Sequence, residues 1–172
     1  MDFADVVRTR SSVRDYDPAR PVPRPALERI LEAGRLAPSA ANRQPWRFIV
    51  VSSPEALAKV RRCYAKAWFH DAPQVLAVTG NAEAAWTRQA DGWNALETDH
   101  AIAMDHLVLA AANEGVGTCW IANFQPDALR SALGLDADHR VFAITPLGYP
   151  RPGADAERLK ERKTFDQVVE FR

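Results

Sequence analysis

Pro38-Ser39-Ala40-Ala41-Asn42-Arg43-Gln44-Pro45-Trp46 runs without a break into Arg47-Phe48-Ile49-Val50-Val51, and this junction decides how the chain is read. Two prolines stiffen the polar half, while the β-branched and aromatic content of the second half predicts a buried strand. A stiff polar loop therefore delivers the chain into the core. Working backwards, Pro25 suits the first turn of a helix carrying Leu27, Ile30 and Leu31 on one face, which must stop by Pro38. Before it, Asp2 can cap a short helix bearing Phe3, Val6 and Val7, which leads into Arg8-Thr9-Arg10-Ser11-Ser12-Val13-Arg14.

Working forwards, Ser53-Pro54 opens a helix with Leu57, Val60 and Tyr64 on its apolar side, and Val75-Leu76-Ala77-Val78-Thr79 reads as a second buried strand. Residues 81–97 lose the pattern; with Trp86 and Trp93 among polar and small residues, they read as an irregular, lid-like stretch. Residues 98–113 predict a helix apolar on most faces, hence a central one. Gly115 and Gly117 end it and feed a third strand over 118–122; a helix over 126–133 closed by Gly134 and a fourth strand over 141–147 follow. Phe165, Val168, Val169 and Phe171 form a late apolar group that needs a surface to dock on. Strands alternate with helices and no repeat is visible, so the pattern predicts one layered sheet-and-helix domain spanning 1–172.

Composition narrows the function. Of 172 residues, 47% are apolar and 26% charged, enough for one compact core. Lys plus Arg equals Asp plus Glu at 22 each, so no general field would draw a nucleic acid or an anionic membrane. No run has the apolar length of a membrane span, and the acidic start, Asp2 and Asp5, is unlike a signal peptide. Cys63 and Cys119 lie far apart without ligand spacing, so neither a disulfide framework nor a zinc site is expected, and a reducing cytoplasm is the natural setting. Asp99 and His106 share a helical face but supply only two ligands; the Asp99-His100 and Asp105-His106 pairs read as surface or interface polar groups. Cys119 reads as a buried small hydrophobe with nothing cationic beside it.

Three segments can carry chemistry. Arg10-Ser11-Ser12-Val13-Arg14 offers two guanidinium groups to grip a phosphate and two hydroxyls to reach a polyol, although a solvated basic turn would look the same. The chain has no glycine-rich phosphate cradle, so a nucleotide phosphate would have to be held by side chains. In the 38–46 loop, Asn42 and Gln44 each donate and accept, which suits the edge of a planar heteroaromatic ligand as well as an ordinary turn. Gly115-Val116-Gly117-Thr118-Cys119-Trp120-Ile121-Ala122-Asn123 places a strand end beside a helix start, where free N–H groups could meet a ring edge; a plain buried strand is the simpler alternative.

Together and in this order, these segments resemble the nitroreductase-like family of FMN-dependent NAD(P)H oxidoreductases. The likeness rests on the RxSxR-type opening, the PSxxNxQPW loop, the GxGTCWI strand and the basic Arg162-Lys163 pair before the apolar tail. It spans nearly the whole chain and leaves 81–97 unmatched. It implies an α+β fold with a central, mostly antiparallel sheet flanked by helices, and an intertwined homodimer whose C-terminal segment is exchanged onto the partner. By position, Arg10, Ser11, Ser12 and Arg14 look like phosphate, ribityl and pyrimidine-side contacts, with Arg162 and Lys163 as further phosphate contacts. Pro38 and Ser39, from the neighbouring subunit, resemble residues lining the isoalloxazine; Asn42 and Gln44 resemble polar supports of that loop. Ile121, Ala122 and Asn123 correspond to backbone facing the ring. Many relatives carry glycine where Ala122 or Asn123 stands, and some supply a lysine where this chain has Trp68-Phe69-His70, with Lys66 near but unmatched.

The implied chemistry is flavin chemistry: N5 accepts hydride from NADH or NADPH and passes it on by a ping-pong scheme to a nitroaromatic, a quinone or a similar small acceptor. Arg14 is the expected electrostatic stabiliser of the reduced flavin, and no catalytic side chain is required. The alternatives are an FMN carrier or sensor without turnover, and a relative acting on flavin or on halogenated aromatics.

Overall fold

The computed structural model describes residues 1–154 and 160–172. Its order is α1 (Phe3–Thr9), α2 (Arg24–Arg35), β1 (Trp46–Val51), α3 (Pro54–Val60), α4 (Ala67–Asp71), β2 (Gln74–Asn81), α5 (Leu96–Asn113), α6 (Pro126–Leu133) and β3 (His139–Leu147). The three strands form an antiparallel sheet in the order β1-β2-β3, with a register shift between Val78 and Thr79.

The central strand explains the layering. Successive side chains of a strand point to opposite faces, and both faces of β2 are apolar. Leu76 and Val78 pack with Ile30 of α2 and with Met104 and Leu107 of α5. Val75 and Ala77 pack on the opposite face with Leu57 and Val60 of α3, Phe69 of α4 and Leu129 of α6. Helices therefore cover the sheet on both sides, as the near-continuous apolar run of β2 demands. Gln74, a buried amide at the start of β2, is satisfied by exchanging two hydrogen bonds with the Val22 backbone, at 2.9 and 3.2 Å, which fixes the extended lead into α2.

The helix boundaries follow local chemistry. Asp2 caps α1 by accepting from the Asp5 N–H at 2.8 Å, Ser53 caps α3, and Pro25 and Pro126 occupy first-turn positions. Gly134 closes α6 in the left-handed conformation at φ 63°. The α4 turn was not foreseen, because its five residues are too few to show periodicity.

Residues 118–122 do not form the expected third strand of the ladder. Their backbone groups are shared among unlike partners: Thr118 C=O accepts from Val13 N–H, Cys119 N–H donates to the Thr145 hydroxyl, and only Ile121 exchanges bonds with Ile144 of β3. The segment is thus an irregular edge that clasps 12–13 on one side and β3 on the other. Of the stretch 81–97, Asn81 ends β2 and Leu96 and Glu97 open α5; between them residues 82–95 are irregular, as expected, pinned by a Thr87–Asn94 bridge and by an Arg88–Asp91 ion pair with Arg88 stacked on Trp93.

Candidate functional site

The arginine–serine segment leaves α1 and is drawn along the 118–122 edge by the Val13–Thr118 bond of 2.8 Å, paired as a parallel Ser12–Thr118 bridge. This places Arg10, Ser12 and Arg14 around Cys119. The expectation that nothing cationic adjoins Cys119 is therefore wrong, because residues distant in sequence are brought alongside it. Burial still wins: desolvation pushes the thiol up, against the opposing pull of Arg14, the Ser12 bond and Arg10. Cys119 is an inert part of the floor.

On the other side of Arg10 stands the C-terminal segment. Lys160 donates to the Val7 carbonyl at 2.6 Å, which seats its ammonium at the end of α1. Desolvation pulls the Lys160 pKa down, and so do its like-charged neighbours Arg10 and Arg162. Lys160 thus stands close enough to Arg10 and Arg162 to feel both charges, an arrangement whose chemistry suits an anion. Lys160 was missed from sequence; a lysine two residues before the recognised Arg162-Lys163 pair gives no pattern of its own. Lys163 itself is exposed and adds no described contact to this cluster.

Between these cations and the sheet runs the 121–123 backbone. Ile121 is buried, and both its N–H and its C=O are taken by Ile144. Ala122 and Asn123 are exposed, and among the described residues their N–H groups carry no hydrogen bond, so they are the groups able to meet a ligand edge. A cavity of about 390 Å³ opens beside Ala122, walled by Leu96, Val141 and Phe142 and flanked by Arg130 and Arg140.

The 38–45 loop forms a second cluster. Ala41, Asn42 and Gln44 have positive φ, at 49°, 54° and 51°. Residues with a full side chain lose about 1–2 kcal/mol each in that region, and Asn somewhat less. The loop is held there by named bonds: Gln44 N–H donates to the Ser39 hydroxyl at 2.9 Å, and the Gln44 amide donates to Asn42 at 3.2 and 3.1 Å. The expected supporting roles of Asn42 and Gln44 thus have a local geometric basis. Pro38, Asn42 and Gln44 are exposed and Ser39 is half-buried. Among the described residues, the loop's hydrogen bonds run within itself and to α5, not to the arginine segment.

The α5 partners correct another expectation. Asp99 and His100 are not surface groups; they are 1% and 0% exposed. Asp99 accepts from the Ala40 N–H at 2.9 Å, and His100 Nε2 lies 3.2 Å from the Pro45 carbonyl. A carbonyl only accepts, so Nε2 carries the proton. Desolvation holds the His100 pKa below its usual value, outweighing the Pro45 bond and the Asp99 and Glu97 charges, so the ring is neutral. His106, by contrast, faces the Ala33 carbonyl at 3.3 Å.

No helix among the described residues is long and apolar enough to cross a membrane. Comparison with known proteins gives a consistent answer. The Nitroreductase family pattern matches residues 7–63 and 59–149. A protein of Archaeoglobus fulgidus, provisionally named NADH dehydrogenase/NAD(P)H nitroreductase, is 32% identical over 95% of this chain and 94% of its own. A nitroreductase family protein from Clostridium difficile superposes with a TM-score of 0.89 at 31% identity, covering 99% of this chain and 98% of that one. A Desulfovibrio desulfuricans protein solved in complex with FMN superposes at 0.81 with 25% identity, covering 98% and 95%.

Proposed function

Because the chain belongs to the nitroreductase family, we propose that it is a one-domain FMN-dependent oxidoreductase that takes hydride from NADH or NADPH and delivers it to a small acceptor. The observation that carries this reading is the meeting of Arg10, Lys160 and Arg162 at the end of α1, where Lys160 is seated on the Val7 carbonyl; desolvation first, and then the charges of the two arginines, hold the Lys160 ammonium below its usual pKa, and a phosphate would offset both. The residues fit FMN in the right order. The cations would hold the phosphate, the Ser11 and Ser12 hydroxyls would reach the ribityl chain, and Arg14 would stand at the pyrimidine side. The free Ala122 and Asn123 N–H groups would meet a ring edge.

When bound, FMN supplies the hydride-accepting and hydride-donating centre, and the protein needs no nucleophile or acid–base pair of its own. What these residues do is bind, orient and bias charge: Arg14 favours negative charge on the pyrimidine side, and the 38–45 loop limits access to the ring face. The cavity beside Ala122, lined by Arg140, Arg130 and Glu97 as well as by Leu96, Val141 and Phe142, has room for an acceptor such as a nitroaromatic or quinone. A ping-pong order follows if donor and acceptor use that same face in turn.

The reading includes a homodimer with an exchanged C-terminal tail. Its support is the tail itself: Phe165, Val168 and Phe171 are 64%, 65% and 87% exposed on the single chain, while Phe3 and Val7 of α1 are exposed as well. Apolar surface of this kind is what a partner subunit covers. The test of the cofactor is discrimination between FMN and riboflavin. Titrating the flavin-stripped chain with each should show FMN bound at least ~100-fold more tightly, the value of two or more charge-assisted phosphate bonds. Equal affinity would leave the cation cluster without its assigned ligand.

A further inference from the structure

We infer that Asp99 and His100 are positioning residues, which reach from α5 to hold the strained 38–45 loop in the shape it presents to the flavin ring. The inference rests on the flavin reading for its consequence, and on geometry alone for its mechanism. The two bonds bracket the strain: Ala40 and Pro45 flank the three residues with positive φ, Ala41, Asn42 and Gln44. Strained backbone of this kind persists only where its surroundings over-determine it. Within the loop, the Ser39–Gln44 and Gln44–Asn42 bonds set its curvature; nothing in them ties the loop to the body of the protein. Asp99 and His100 do.

Packing does not account for this pair. The other buried α5 positions, Leu96, Ala103, Met104, Leu107, Val108 and Ala111, are apolar, and apolar residues at 99 and 100 would cover the sheet without burying two ionisable groups. Among the described residues, Asp99 Oδ2 and His100 Nδ1 are buried without a hydrogen-bond partner, so each side chain is buried at a cost and uses only the atom that meets the loop. The neighbouring strand makes room for the contact. A Cβ on Gly80 of β2 would lie 2.0 Å from the Pro45 oxygen and 2.5 Å from His100 Nε2, so only glycine lets the loop, the strand and the imidazole meet.

The test uses the full chain and two readouts, hydrogen exchange of the 39–45 amides in the flavin-free protein and FMN titration. D99A and H100L remove the bonds. D99N retains an oxygen for the Ala40 N–H, and H100Q retains an N–H donor for Pro45. M104A, in the apolar cluster of the same helix, controls for lost stability. D99A and H100L should speed loop exchange and weaken FMN binding by about 10-fold or more each, as expected for a buried hydrogen bond with one partner removed. D99N and H100Q should stay within about threefold of the parent, and M104A should leave both readouts unchanged. The inference is overturned if D99A and H100L behave like M104A, if the conservative pair fails to rescue, or if exchange rises while FMN affinity stays at the parent value. A parent that binds no FMN defeats the flavin reading, and the exchange data alone then decide the anchoring. If D99A or H100L does not fold, ¹⁵N spectra of the parent histidines serve instead. They should show His100 as the neutral Nε2–H tautomer at neutral and mildly alkaline pH, and the Nδ1–H tautomer would overturn the bond to Pro45.

Discussion

Gly80→Ala is the most demanding single perturbation of this architecture. The added methyl would sit 2.0 Å from the Pro45 oxygen and within 3 Å of two His100 atoms, Nε2 at 2.5 Å and Cε1 at 2.9 Å. Ordinary contact is ~3.4 Å or more, so the loop must retreat by over an ångström or the imidazole must rotate. Either movement breaks the His100–Pro45 bond. Overpacking in a tight site costs about 1–3 kcal/mol, and a buried hydrogen bond left half-made about 1–3 kcal/mol more. At roughly 2–4 °C per kcal/mol for a chain of this size, the melting temperature should fall by about 5–20 °C. The comparator is Gly115→Ala, where φ is 70° but nothing lies within 4 Å of the new methyl. That change carries only the left-handed cost of about 1–2 kcal/mol. The assay is thermal unfolding by circular dichroism at fixed protein and flavin concentrations, since bound ligand and partner both raise the transition. If Gly80→Ala melts no lower than Gly115→Ala, the close approach of strand, loop and imidazole does not govern stability as argued.

Other outcomes follow from the same geometry. Lys160→Ala and Arg10→Ala should each weaken FMN about 10-fold or more while leaving riboflavin binding unchanged, measured by fluorescence titration. Arg14→Ala should weaken FMN retention and slow flavin reduction in stopped-flow; an unchanged rate and flavin content would remove Arg14 from the pyrimidine side. His100 is held neutral below its usual pKa of 6.5, so the unfolded chain takes up a proton first. Stability should therefore fall as pH drops from about 6.5 towards the lower folded value, and the difference between parent and H100Q in chemical denaturation should shrink over that window. Burial raises the Cys63 thiol to about 11 and pushes Cys119 up as well. Iodoacetamide at mildly alkaline pH should thus label both only after unfolding, as read by mass spectrometry.

Much of the fold was legible because apolar runs are local. The 46–51 and 74–81 strands, the capped α1 and α3, and the Gly134 stop each announce themselves within a few residues. The third strand misled because residues 118–122 have strand composition, whereas their hydrogen bonds are decided by Val13, Thr145 and Ile144, all remote in sequence. The candidate site was legible where it repeats a family pattern, as at Arg10, Ser12 and Arg14, which the structure brings together beside Cys119. It was not legible at Lys160, whose role depends on where α1 ends, nor at Asp99 and His100. An ionisable pair on a helix reads as solvated, and only the arrival of Ala40 and Pro45 against α5 makes burial tolerable.

The central claim is that this chain carries FMN and passes hydride through it. The most direct measurement is the visible spectrum of the purified protein under anaerobic conditions, before and after NADH or NADPH and then after a quinone or nitroaromatic. The account predicts flavin absorbance, bleaching by at least one nicotinamide donor and recovery of the colour on adding the acceptor. Bound flavin that neither donor bleaches would contradict the oxidoreductase reading, and a colourless protein that cannot be reconstituted with FMN would contradict the site itself.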